Sequence, residues 1–426
     1  MDRESFSLLS CVATAQLDRI SSAIDAVAVD ERGSTYVRFV HLHLDAIAAL
    51  VAEANVAHGG TESDEEQEIH GRQLQRLKLM LDAIHGNVFS YRDDIGRRDF
   101  PVGLLYLIDT LIDDLLKASA DPLVHSDGNY MYSTIRLQAL WAQLTSALGV
   151  EWEETTEPII FNLPGLDPSN AMLAPILAHE VGHSVLQRVD LVDSVEQSLD
   201  RETVDSLRRT LTEADPSADQ DNLLLQFARW VEELVCDALA TELCGVSMLF
   251  SSAVFLPASA AGSMGDDHPD PADRLALTLT QLDENGWADL LVRHCPNVDT
   301  WLRQIAEARP TPATAQEKFL RDLIQLAMPA IVKVAREYAA GSFECATFEV
   351  IEEEILSCLR NGIPPAELRG SAVSPWVAIV GFWLRGVEMH GDTSIGLASV
   401  VGDRRLSRLA LKTVEMSRVL QLWGAD

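Results

Sequence analysis

Residues 177–184 read Leu-Ala-His-Glu-Val-Gly-His-Ser, and the spacing of the two histidines constrains the fold more than any other feature of the chain. Four residues apart on an α-helix, His179 and His183 lie on one face and can turn both imidazoles towards a single ion. Zinc accepts neutral imidazole nitrogens at about 2.0–2.1 Å, and a catalytic zinc site typically combines three protein ligands with water. Glu180 follows the first histidine directly, where such sites place the carboxylate that takes a proton from the attacking water. The residues flanking the pattern are uncharged, as expected for a helix buried in a core, and Gly182 leaves room for another element to pack closely.

The third ligand has to come from elsewhere in the chain. An extended HExxHxxGxxH pattern needs a glycine and a histidine where this chain has Leu186 and Val189, and a downstream GTxD pattern is absent. An ExxxD pattern is present in Trp230-Val-Glu-Glu-Leu-Val-Cys-Asp237, with Glu233 fifty residues beyond His183. Glu233 and Asp237 share one helical face. Glu233 can therefore complete the metal shell while Asp237 accepts the free ring N–H of a ligand histidine, His179 first. Glu232 is the rival ligand, five residues before Asp237 and off that face. Asp237 is alternatively a surface acid in a chain rich in them.

HExxH followed by ExxxD resembles the gluzincin metallopeptidases, and within them the CAAX-prenyl-protease and heat-shock HtpX-like family. Asp267-His-Pro-Asp-Pro-Ala-Asp-Arg274-Leu resembles that family's HP…R segment after the ligand helix. The resemblance spans roughly residues 157–280 and leaves the N-terminal and C-terminal thirds uncovered. It implies a zincin-like core, a zinc cofactor, and hydrolysis of peptide bonds in a peptide or protein substrate. Family members are typically embedded in or attached to membranes, whereas no span is expected here, so the likeness is to a soluble relative. His268 reads either as a loop histidine or as a hydrogen-bond donor to the oxyanion of the reacting carbonyl. Arg274 reads as an anchor for its loop through an acidic partner. The strand over 157–163 resembles the edge strand against which peptides pair in such enzymes, or it is structural alone.

Around these motifs the chain reads as a mainly α protein with a small β element. Apolar 3–4 spacing predicts helices over 8–24, 36–57, 73–84, 102–116 and 131–148, with loops at 59–68 and 121–130. The motif helix is expected over 171–188, and further helices over 201–211 and 222–243. The remainder from 275 is mostly helical, broken at Pro364-Pro365. The division expected is a helical region 1–120, a catalytic core 121–290 and a helical region 291–426.

Charge and cysteine usage bound the setting. The chain has 426 residues, 65 acidic against 33 basic, for a formal charge of −32, which repels nucleic acid and anionic lipid. Its six cysteines form no CxxC pair, and the N-terminal stretch lacks the basic and apolar regions of a signal peptide. The longest apolar runs, 377–384 and 246–262, fall short of the roughly 20 residues of a membrane span. A cytoplasmic setting is expected. Cys236 and Cys244 read as small core residues, His125 as a loop histidine, and His41 with His43 as no metal pair on a helix. The competing functional reading is a non-catalytic binding or regulatory protein that keeps a structural or vestigial zinc site. A zinc hydrolase acting on a non-peptide amide shares the same metal chemistry.

Overall fold

The computed structural model describes residues 3–26, 34–60, 63–91, 100–127, 132–164, 170–259, 268–308, 312–339 and 347–423. These residues are mainly helical, with a three-stranded sheet and a two-stranded hairpin. The chain divides into two compact units, Met1–Asp99 with Ala118–Pro168, and Phe100–Lys117 with Ser169–Asp426.

The first unit comprises α1 (Arg3–Asp25), α2 (Ser34–Gly60), α3 (Asp64–Tyr91), β1 (Ala120–Asp127), β2 (Ser133–Arg136), the short α5 (Leu137–Leu140) and α6 (Ala142–Leu148), and β3 (Glu157–Pro164). In α1 the buried residues Phe6, Ser10, Ala13, Leu17, Ile20 and Ile24 recur at alternate steps of four and three. That spacing makes one continuous stripe, which packs on α2 and α3. His43, buried in α2, donates from Nδ1 to the Phe39 carbonyl at 2.8 Å and accepts at Nε2 from the Thr145 hydroxyl at 2.9 Å. Burial lowers its pKa, so it is a neutral core histidine. His41 instead pairs with Asp25 at 3.1 Å.

The sheet overturns three expectations. β3 is not an edge strand: it lies in the middle, parallel to β1 on one side and antiparallel to β2 on the other. All eight of its residues are buried, because a continuous run such as Pro-Ile-Ile-Phe suits a strand covered on both faces. Both of its edges are occupied, so no peptide can pair with it. The segment expected as a loop at 121–130 forms β1 as far as Asp127. There Pro122 is tolerated because β1 is at the sheet edge. Asp121 buries its carboxylate and accepts the Thr35 N–H at 2.8 Å, satisfying an otherwise orphan amide of the first turn of α2. Where one helix is expected over 131–148, Ser133–Arg136 pairs with β3 as β2 before α5 and α6 begin.

The expected loop at 59–68 is also shorter, since α2 reaches Gly60 and α3 begins at Asp64. Among the described residues α2 is the one helix long and apolar enough to cross a membrane, a property the sequence reading passed over. Tyr36, Phe39, Val40, Leu44, Ile47 and Val51 on α2 are all buried in the core of this unit.

The second unit begins with α4 (Val102–Leu111), which runs on into a π-helical turn at Ile112–Leu116. It continues with α7 (Ala174–Leu186), α8 (Leu191–Ser198), α9 (Arg201–Ala214), α10 (Gln220–Cys244), α11 (Val246–Ser259), α12 (Pro271–Glu284), α13 (Ala288–His294), α14 (Pro296–Glu307) and α15 (Ala315–Tyr338). The chain then forms α16 (Thr347–Glu349), α17 (Leu356–Arg360), the hairpin β4 (Glu367–Leu368) and β5 (Ser371–Ala372), α18 (Pro375–His390), α19 (Ser394–Gly402) and α20 (Arg404–Trp423). Helix α8 occupies a stretch whose polarity hid it, with only Leu191 and Val195 buried. At the centre stands α10, whose residues Glu233–Thr241 are buried without a break. It packs on α7 and α15.

Ile160, fully buried on β3, ties the sheet to the core of the first unit. Ile160→Ala is expected to destabilise this unit by about 2–5 kcal/mol, the usual cost of such a cavity. A reduced urea midpoint in far-ultraviolet circular dichroism would report it, and an unchanged midpoint would contradict the central position of β3.

Candidate metal centre

Helix α7 is fixed at its N-terminal end before it presents any chemistry. A 3-10 turn, Ala171–Leu173, leads into it, and Asn170 caps that turn by accepting the Met172 N–H at 3.1 Å. The Met172 carbonyl accepts two hydrogen bonds, from Ser251 Oγ at 2.8 Å and from the Trp383 indole N–H at 3.1 Å. Ser407 Oγ takes the Ala171 N–H at 3.0 Å. Side chains on α11, α18 and α20 thus hold the start of the motif helix through its own backbone.

More than two turns further on, α7 meets α10. A Cβ placed on Gly182 would stand 3.0 Å from Cα, Cβ and Sγ of Cys236, so a larger residue would press the two helices apart by a few tenths of an ångström. Cys236 therefore serves packing, and Cys244 is likewise buried, as the sequence suggested. The close crossing puts His179 and His183 opposite Glu233.

His179 Nε2 lies 3.5 Å from Glu233 Oε2, and His183 Nε2 lies 3.3 Å from Glu233 Oε1. The donor atoms of these three residues all fall within 4.8 Å of one another. A tetrahedral centre with bonds of about 2.0–2.1 Å separates its ligands by about 3.3–3.4 Å. Two imidazoles and a carboxylate at these spacings, His179 and Glu233 buried and His183 half-buried, form a group that can hold a metal ion. Glu232, the rival ligand, is exposed.

Asp237 is no surface acid. It is 2% exposed and accepts the Nδ1 proton of His179 at 2.8 Å, which turns Nε2 towards the donor cluster. Arg274, at the first turn of α12, grips the same carboxylate through Nε at 2.6 Å and Nη2 at 2.7 Å. Its Nη1 lies 3.4 Å from Glu233 Oε2, and its Nη2 approaches His179 Nδ1 to 3.4 Å. The anchoring role expected of Arg274 is thus met by Asp237. Its second reach, to the Glu233 carboxylate, is a contact that helix spacing did not reveal; the only signal was the HP…R resemblance. His268 Nε2 stands 3.8 Å from Glu233 Oε1 with its side chain 62% exposed, at the rim of the cluster. Asp267 of the same segment lies outside the described residues. His125 sits on β1 in the first unit, edge-on to Tyr91.

The electrostatics follow from burial and pairing. Burial opposes a charge on His179, but the Asp237 carboxylate and the bond to Glu233 outweigh it and raise its pKa to about 10. Burial and the neighbouring His179 lower His183 to about 4, keeping it the neutral imidazole that ligation needs. Burial works against the charged forms of Glu233 and Asp237. The bond from His179 nevertheless draws Glu233 down to about 2, and Arg274 holds Asp237 well below the usual carboxylate range. At Glu180 burial outweighs the pull of His179 and Arg274 and pushes the carboxyl up to about 7.

No protein-family model, curated protein sequence or solved structure matches the chain.

Gly182→Ala is expected to force α7 and α10 apart, cost about 1–3 kcal/mol and weaken metal binding in parallel. Wild-type melting and metal affinity in that variant would contradict the close crossing. Asp237→Asn should lower affinity for added zinc by about 10–100-fold, read by competition with a chromophoric chelator.

Proposed function

We propose that the chain is a zinc-dependent metallopeptidase of the gluzincin type. In this reading α7 and α10 are the ligand helices of a zincin-like core related to the CAAX-prenyl-protease and HtpX-like family. The observation that carries it is Glu180, a carboxylate next to the three-residue donor set that a purely structural metal site has no use for. Zinc bound by His179, His183 and Glu233 would supply the Lewis acidity that activates water and polarises a scissile carbonyl.

The chain's own groups do the rest. Glu180, raised towards neutrality by burial, takes the proton of the attacking water and hands it to the leaving nitrogen. His268, at the exposed rim, donates a hydrogen bond to the oxyanion that develops on the carbonyl. Asp237 and Arg274 orient His179 and balance the buried charge of Glu233. The substrate is a peptide or protein, and the acidic balance of the chain speaks against nucleic acid. A reducing, cytoplasmic setting is supported by the described cysteines, all of which are free.

Purified wild type is expected to hold about one zinc per chain, which His179→Ala and Glu233→Ala lose. Glu180→Gln should keep the metal and lose turnover of a peptide library by about 10²–10⁴-fold. Absence of zinc after reconstitution would remove the metal reading. Zinc with no peptide cleavage by the wild type would leave a structural or vestigial site and remove the peptidase.

A further inference from the structure

Away from the donor cluster, α8, α9, α10 and α15 line a half-open cavity of about 360 Å³. Leu199, Val204, Leu224, Phe227 and Leu323 give it apolar walls. A second cavity of about 610 Å³ adjoins it, and Asp205 and Arg208 line both. The cavity is distinct from the metal centre on the helix they share. Phe227 and Leu224 precede Glu233 by six and nine residues, which at 100° per residue turns them about 120° and 180° away from it.

Arg208 is the unusual member of this wall. Its Nε is buried and has no hydrogen-bond partner. Other arginines of the second unit reach a carboxylate, among them Arg274, Arg293, Arg303 and Arg360. A guanidinium presents its N–H groups as a planar fork that matches a carboxylate, and a buried donor left unsatisfied is destabilising. Glu196 and Asp205 also line the cavity, yet neither hydrogen-bonds to Arg208 Nε.

We propose that this cavity binds a small apolar carboxylate, its acid group on Arg208 and its apolar body against Leu224, Phe227 and Leu323. Arg208 stands in a wall otherwise rich in hydrocarbon, the mixture of one cation and apolar side chains that such a ligand uses. Two sources share this chemistry, a free apolar amino acid and the C-terminal residue of a peptide. They differ in the ammonium group, which Glu196 and Asp205 would pair with in the first and not in the second.

Calorimetric titration of the full chain with L-phenylalanine, N-acetyl-L-phenylalanine and L-phenylalaninamide tests the proposal. The two acids are expected to bind and the amide not. Tighter binding of phenylalanine identifies the free amino acid as the source, and tighter binding of the acetylated form identifies a peptide end. Arg208→Met should weaken binding of both acids by about tenfold or more. Leu224→Trp, which fills the cavity and leaves Arg208 in place, should abolish it. Far-ultraviolet circular dichroism and melting temperature of both variants stay those of the wild type, which separates loss of this site from loss of the fold. Equal binding of the amide and the acids, unchanged affinity in Arg208→Met, or no acid binding up to about 10 mM would overturn the proposal.

Discussion

Two carboxylates, one guanidinium and one imidazole meet within hydrogen-bond reach in the second unit, almost entirely out of water. Asp237 and Glu233 provide the negative charge, and Arg274 and His179 the positive. Burying any one of them alone would cost several kcal/mol. Held together, each satisfies the others, and breaking one partner out leaves an uncompensated charge. Three separate stretches of chain are committed to this knot: the motif helix, the ligand helix and the first turn of α12. The arrangement of the surrounding helices is therefore tied to a polar cluster as much as to hydrocarbon.

Geometry at one residue makes that cluster reachable. Gly182 allows α7 to lie against α10 at the level of Cys236, and the ligands on the two helices face each other as a result. The Met172 carbonyl, taken by Ser251 and Trp383, fixes the far end of α7 so that its rotation about its own axis is not free. Small errors in that rotation would swing both imidazoles off Glu233, since they ride on the same face. The Trp383 indole thus helps set the direction of both imidazoles.

The site was more legible in the sequence than the sheet. Helical spacing places His179 with His183 and Glu233 with Asp237, because a side chain's direction on a helix follows from its number. The opposition of the two pairs needed only that the helices touch, and Gly182 is a written sign of that contact. Arg274 was harder, since its reach depends on how α12 crosses α10, which no local periodicity encodes. In the first unit, Asp121-Pro122 carries turn chemistry and yet lies in β1, because an edge strand tolerates proline and Asp121 is employed at the start of α2. β3 was recognised as a strand, but its partners were not. Strand neighbours are set by segments distant in sequence, and a run apolar on both faces was the available hint that the strand is covered on two sides.

The polar knot also has a position in time. His179 and Arg274 are separated by 95 residues, which a ribosome adding about 5–20 residues per second takes roughly 5–20 s to deliver. During that interval both histidines and then Glu233 are present without the cation that balances them. A nascent chain carries the ligands as a string of unassembled parts, and the centre closes only when α12 has emerged and docked. The last piece to arrive is not a ligand at all. Synthesis order therefore leaves the three donors without Arg274 until the first turn of α12 has been made.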